Sequence, residues 1–428
     1  MGARELRLAL LLVLISLPLR ALPQTAAAYE VAGAAIDLEK MGTDRTARAQ
    51  RNPIGRRTSR YLGAAAEETD AGNLQEAKRL LLKLRPSRLN PKERAFVYRL
   101  LAYIAYGGEE YEEAIGYFEK VLEQEVLSLH DEARVRFSIA QLFAGIQRWD
   151  DVVASIDRWL LYIETPNPVG FYLAGIAYYQ LEDFDAAIVQ TKKAVEFTAE
   201  PREAWLRLLA ALYSQKQDYE STAPVLEELV LRYPKKQYWV QLSLIYDARE
   251  DYRRSLAAQQ VAYAQGLLTE DKELRRLTRS YLYHDLPYPA AKVLEKGLEA
   301  GVIASDVESL ELLANSWIAA REYDQALVPL REAAERSDDG KLYVRLGQVH
   351  MQREEWSEAA ELLKKAVEKG GLEDPGNAQL LIGISYYNDE RVAPARSSFL
   401  RARQHDSTRS EADRWITHLE RERPSQEG

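Results

Sequence analysis

EYDQALVPLREAA, Glu322–Ala334, is the stretch that decides the fold. A tyrosine follows an acidic turn, and then Ala326, Leu330 and Ala333 fall at intervals of four and three on one helical face. The same device stands at Tyr111–Val121 (YEEAIGYFEKV) and at Glu355–Ala366 (EWSEAAELLKKA). Aligning the chain on the small residue that opens this helix gives Ala77, Ala114, Val152, Ala187, Thr222, Ser255, Ala291, Ala326, Ala359 and Ala395. Copies thus recur roughly every 33 to 38 residues. Two helical segments per unit at this period predict an all-α solenoid of about ten helix–turn–helix repeats.

The segments preceding each copy agree. Tyr98/Leu101/Ala102, Trp239/Leu242/Ser243/Tyr246, Leu310/Leu313/Ala314/Trp317 and Tyr343/Leu346/Gly347 place a large residue and then Leu-small on one helical face. The small residue lets the two helices approach, and a larger one there overpacks them. An aromatic plug ends each turn, at Tyr111, Trp149, Phe184, Tyr219, Tyr252, Tyr288, Tyr323 and Trp356. Proline and glycine punctuate the unit ends, at Pro86, Pro166, Pro168, Pro234, Asp338–Gly340 and Gly370–Gly376. The seventh unit reads as the most degenerate, with Arg279 where the small residue is expected, and the first unit is weak too.

The two ends read differently from the middle. Residues 1–28 have a basic start (Arg4, Arg7), an apolar run Leu8–Leu17 and small residues at Ala21 and Ala26–Ala28, the pattern of a secretory signal peptide. Residues 29–60 read as a flexible basic linker, 61–403 as the repeat array, 404–421 as a capping helix and 422–428 as a disordered tail. The chain carries no cysteine, which excludes disulfides and thiol chemistry and suits an exported, soluble protein of the periplasm. The net charge of −9 conceals an asymmetry. Residues 31–60 hold seven basic and three acidic side chains, so the array behind them is strongly acidic, which argues against nucleic acid as a partner.

The motifs of chemistry are missing. His130, His284, His350, His405 and His418 lie in no ligand spacing, and there is no phosphate loop or nucleophile elbow. No catalytic residue, metal site or cofactor is expected, and therefore no enzyme. The candidate surface is the one formed by the first helices, on the side opposite their packing residues. It comprises Arg99, Tyr103, Tyr106, Arg134, Phe137, Gln141, Tyr172, Tyr179, Arg207, Arg276, Tyr283, Asn315, Gln348 and Tyr387. Aromatic and arginine side chains together are what protein-recognition surfaces favour, and an aromatic groove suits an extended or proline-rich segment.

In nearly every unit these residues resemble the tetratricopeptide repeat (TPR) family, whose helix pairs wind into a right-handed superhelix. The stretches Tyr233–Tyr246, Ala262–Thr269, Tyr281–Ala291, Glu332–Gly340 and Lys369–Gly376 resemble, more specifically, the periplasmic TPR proteins associated with TonB, ExbB and ExbD homologues in Gram-negative bacteria. That resemblance implies an accessory scaffold of energy transduction for outer-membrane uptake, with periplasmic regions of TonB or ExbD as protein partners. A scaffold for assembly of outer-membrane protein, polysaccharide or cell wall is the alternative.

Overall fold

The structure is a computed structural model that describes residues 38–163 and 167–422. The expected signal peptide and the last six residues lie outside the described residues. All regular structure described is helical, in two compact units that divide between Tyr233 and Pro234.

In the first unit, α1 (Leu38–Arg51) precedes five hairpins. These are α2 (Arg56–Asp70) with α3 (Leu74–Leu82), α4 (Pro91–Gly107) with α5 (Tyr111–Leu122), α6 (Leu129–Gly145) with α7 (Trp149–Leu160), α8 (Pro168–Gln180) with α9 (Phe184–Glu196), and α10 (Glu203–Gln215) with α11 (Tyr219–Arg232). In the second unit the hairpins are α12 (Lys236–Ala248) with α13 (Tyr252–Ala264), α14 (Asp271–Tyr283) with α15 (Pro287–Glu299), and α16 (Val307–Ala319) with α17 (Tyr323–Arg336). Then come α18 (Lys341–Gln352) with α19 (Trp356–Lys369), α20 (Pro375–Asn388) with α21 (Val392–Ala402), and a final helix α22 (Arg409–Glu422).

One turn is used ten times. Its pivot is a residue of positive φ: Gly72, Glu109, Gln147, Glu182, Gln217, Glu250, Asp285, Arg321, Glu354 and Glu390. The amide after each pivot donates back to the carbonyl five residues earlier, as in Glu110 to Ala105 at 2.8 Å and Glu322 to Trp317 at 2.9 Å. This closure satisfies carbonyls that the ending helix would leave orphaned. Nine of the ten pivots are not glycine, so the chain accepts left-handed strain of about 1–2 kcal/mol at each.

The pivot fixes the register of everything around it. Five residues after it, the opening position of the second helix is buried in all ten hairpins. Seven residues before it, the facing position of the first helix is buried as well: Ala65, Ala102, Ala140, Gly175, Ala210, Ser243, Thr278, Ala314, Gly347 and Gly383. At Gly383 a Cβ would come within 2.5 Å of the Phe399 ring, so the helices meet at a distance that only glycine permits there.

This register corrects the seventh unit by one residue. Counted from Asp285, its opening residue is Ala290 rather than Ala291, its turn plug is Pro287 rather than Tyr288, and its facing residue is Thr278 rather than Arg279. Thr278 is buried and donates its hydroxyl to the Leu274 carbonyl at 2.9 Å, while Arg279 is exposed. The unit is regular.

The stretch expected to be a flexible linker is largely helical from Leu38 onward. Helix α1 rests on the first unit through Arg45, which pairs with the buried Glu132, and Arg48, which pairs with Glu125. Ala49 packs against the apolar cluster of the second and third hairpins, and Gly42 approaches Leu129. At the other end α22 closes the last hairpin. Its Trp415 stacks on Phe399 at 5.3 Å, with Ala412, Ile416 and Leu419 buried beneath.

Candidate partner-binding surface

Ten, six and three residues before the pivot lie the first-helix positions that the sequence singled out as a surface. In the first unit these positions hold Arg99, Tyr103 and Tyr106 on α4, Phe137 and Gln141 on α6, Tyr172 and Tyr179 on α8, and Arg207 on α10. The sequence expected all of these, and the structure places them in equivalent register. Arg134, exposed one turn earlier on α6, flanks them.

Their exposure sorts them. Tyr103, Tyr106 and Tyr179 are 46%, 37% and 41% exposed. Each is braced at its base by a ring of its own hairpin: Tyr103 edge-on to Phe118 at 5.5 Å, Tyr106 against Tyr111 at 6.1 Å, Tyr179 against Phe184 at 6.0 Å. A braced tyrosine loses little further freedom on contact with a partner. Phe137 and Tyr172 do another job. Phe137 packs 4.9 Å from buried Trp159, and Tyr172 lies 5.8 Å from Trp205 of the following hairpin. Burial pushes the Tyr172 hydroxyl above the ordinary tyrosine range. These two fill space within and between hairpins, with part of each ring still open. Arg99 lies over the Phe96 ring at 4.7 Å, and Arg134 and Arg207 are exposed.

In the second unit the expected residues scatter. The corrected register of α14 moves its equivalent positions to Arg275, Arg279 and Leu282, so Arg276 and Tyr283 lie off the set. Arg276 donates to Asp247 at 2.6 Å. Tyr283, 70% exposed, leans on Tyr252 and His284 beside the turn. Asn315 is half-buried, its Oδ1 enclosed without a donor, and Gln348 is exposed. Tyr387 belongs to the end closure, 5.3 Å from the Trp415 ring with its hydroxyl 3.0 Å from His418 Nε2.

Sequence reasoning missed a cleft in this unit. About 800 Å³ opens among α12, α13 and α14, floored by Trp239, Val240, Ala262 and Leu268. At its mouth Lys236 bridges Glu270 at 2.9 Å and Glu273 at 2.8 Å. Lys236, helped by Lys272, holds the Glu270 carboxyl down to about 2. The Trp239 indole N–H is enclosed with no acceptor. Of its lining, Trp239 and Ser243 were legible beforehand as first-helix packing residues and Arg276 as a candidate surface residue, but not the cleft they share. The gap itself arises from tertiary packing.

Among the described residues no group of three or more histidine or acidic side chains could hold a metal ion. The histidines that the structure engages serve the hairpins. His350 is buried with Nδ1 2.5 Å from Glu355 across its own turn, and His284 Nε2 lies 3.0 Å from the Tyr252 carbonyl. No helix among the described residues is long and apolar enough to cross a membrane.

Residues 344–409, which cover most of the ninth hairpin and all of the tenth, match the family described as tetratricopeptide repeat. No curated protein matches the chain. Among solved structures, it is similar to a tetratricopeptide repeat protein from Parabacteroides merdae, at 15% identity over 77% of this chain and 99% of that one, with a TM-score of 0.36. It is also similar to MamA (residues 41 to the end) from Desulfovibrio magneticus, at 17% identity, 42% and 96% coverage and TM-score 0.35. A third is YrrB, described as a TPR protein with an unusual peptide-binding site, at 17% identity, 46% and 99% coverage and TM-score 0.34. Residues 344–409 thus carry the tetratricopeptide repeat match, and the turn, register and small-residue packing of that stretch recur in all ten hairpins of the solenoid.

Proposed function

We propose that the protein is an exported, non-catalytic scaffold that holds a polypeptide partner in the periplasm, as an accessory of TonB–ExbB–ExbD energy transduction. The observation that carries the scaffold reading is the set of exposed, braced tyrosines on first helices of the first unit: Tyr103 and Tyr106 on the second hairpin and Tyr179 on the fourth. Tyrosine and arginine supply contact area and hydrogen bonds at small entropic cost. Rings spaced along a stack suit an extended segment better than a compact one. The export and TonB parts of the reading rest on the leader pattern of residues 1–28 and on the resemblance of the second-unit stretches.

The test is capture from envelope extracts with the intact protein and with a Tyr103→Ala/Tyr106→Ala/Tyr179→Ala variant. Recovery of a TonB or ExbD homologue by the intact protein and its loss with the variant supports the reading. Recovery of outer-membrane or cell-wall assembly components instead moves the protein to the alternative pathway, and undiminished capture by the variant removes the tyrosines from the site.

A further inference from the structure

The acidic chain has one edge of opposite sign. Arg51 ends α1, Arg56, Arg57 and Arg60 begin α2, and Arg85 and Arg88 follow α3. All six are exposed, and none is paired with a carboxylate among the described residues. Hairpin geometry brings them together, because the start of a first helix lies beside the end of its second. The join is bonded as well. Asn90, two residues past Arg88, donates to the Pro53 carbonyl at 2.8 Å, and the Gly55 amide donates to Glu93 at 3.0 Å. Glu93, the carboxylate bonded to this loop, is buried and also receives the Asn90 amide, so it neutralises nothing outside. The other two arginines of the segment, Arg45 and Arg48, are held by Glu132 and Glu125 and are not part of the edge. Arg57 and Arg60 both lie over the Tyr61 ring, at 6.0 and 5.8 Å, which gathers their charge on one spot.

We infer that this edge docks the protein on an anionic lipid surface. A planar bilayer can be met by a single hairpin, and the first hairpin of the first unit, with its flanks, is where these six arginines are gathered. A long stiff polyanion such as duplex nucleic acid would run on past the edge into the acidic array. The apolar run Leu8–Leu17 lies just upstream of α1 in sequence, so chain emerging at a membrane presents this edge first. Arginines at such a surface add up in free energy and are screened by salt within about 10 Å.

The experiment is co-sedimentation of the full chain with vesicles of phosphatidylglycerol and phosphatidylcholine, against vesicles of phosphatidylcholine alone. An Arg56→Gln/Arg57→Gln/Arg60→Gln/Arg88→Gln variant, checked for native helicity by circular dichroism, is run alongside. Expected is binding to the anionic vesicles that high salt abolishes and that the variant weakens on the order of 1,000-fold. Equal binding to phosphatidylcholine, or binding insensitive to salt and to the variant, assigns attachment to the apolar leader and overturns the inference. So does tighter, equally variant-sensitive binding of a duplex DNA oligonucleotide.

Discussion

The two units are built from the same hairpin, yet they treat the outward register of the first helices differently. In the first unit the positions six and three residues before the pivot include rings braced from below and open above, Tyr103, Tyr106 and Tyr179, with exposed Arg134 and Arg207 on neighbouring hairpins. In the second, Leu244, Arg279, Asn315 and Gln348 stand six residues before successive pivots, and the aromatic Tyr387 is taken up by the end closure. Structure is repeated and surface is not. The two buried positions around each pivot, repeated in ten hairpins, set the fold, while the outward positions vary from open rings such as Tyr103 to space-filling ones such as Tyr172.

If the buried positions alone carry stability, the largest effect available is loss of a core ring. Trp317 is buried and sits against Tyr288 and the Lys292 ammonium of the preceding hairpin. Trp317→Ala is expected to cost about 3–5 kcal/mol. In a repeat stack the cost falls on its own hairpin and its neighbours. Hydrogen exchange followed by mass spectrometry checks this. Protection should drop first in 287–352 and be kept in 91–160, whereas equal loss in both units would mean that the chain unfolds as one body.

The next effect belongs to the surface that differs. Tyr103→Ala, Tyr106→Ala and Tyr179→Ala are each expected to weaken partner binding about tenfold, the scale of a recognition ring, with little change in melting temperature. Gln348→Ala at the equivalent register of the second unit is expected to change binding less than twofold. Calorimetric titration with the captured partner reads both, and a second-unit effect as large as the first-unit ones would erase the distinction between the two faces.

How far this was readable in sequence follows from what each feature depends on. The hairpins were legible because Ala326, Leu330 and Ala333 sit on one helical face whatever their neighbours do. The frame of the seventh was not. Two alanines, Ala290 and Ala291, and two tyrosines, Tyr281 and Tyr283, satisfy the pattern in either register, and only the positive φ of Asp285 chooses. Helix α1 was missed because its partners, Glu125 and Glu132, are far away in sequence. The tyrosines of the first unit were found by helical spacing alone, but their division into exposed Tyr103 and space-filling Tyr172 depends on a ring in the next hairpin, Trp205.

A smaller effect tests the feature the two units share. Replacing a left-handed pivot by glycine removes side-chain strain while keeping the turn. Glu109→Gly in the first unit and Glu354→Gly in the second are each expected to stabilise by about 1 kcal/mol. Thermal melts should show equal gains. An unequal pair would mean that the pivot side chains do more than turn the chain.

The smallest effect is electrostatic and belongs to the second unit alone. Glu270 lies at the cleft mouth with its folded-state value lowered from 4.5 to about 2 by Lys236 and then Lys272. A carboxylate whose value is depressed on folding contributes stability that is fully present above its unfolded value and is lost as pH falls through the folded one. The contribution should therefore be constant at neutral pH and fade between about 4.5 and 2. The group is solvent-exposed, so salt should shrink it further. Because Lys236 joins α12 to the start of α14 through this carboxylate, acid should loosen that joint before the rest of the unit. Amide exchange around 236–240 and 270–276, followed from neutral pH downward, should rise earlier than exchange in 356–366, and Glu270→Gln should show the loosened pattern already at neutral pH. If the variant instead keeps both the neutral pattern and the acid response, Glu273, the second acceptor of Lys236, is what holds the mouth of the cleft closed.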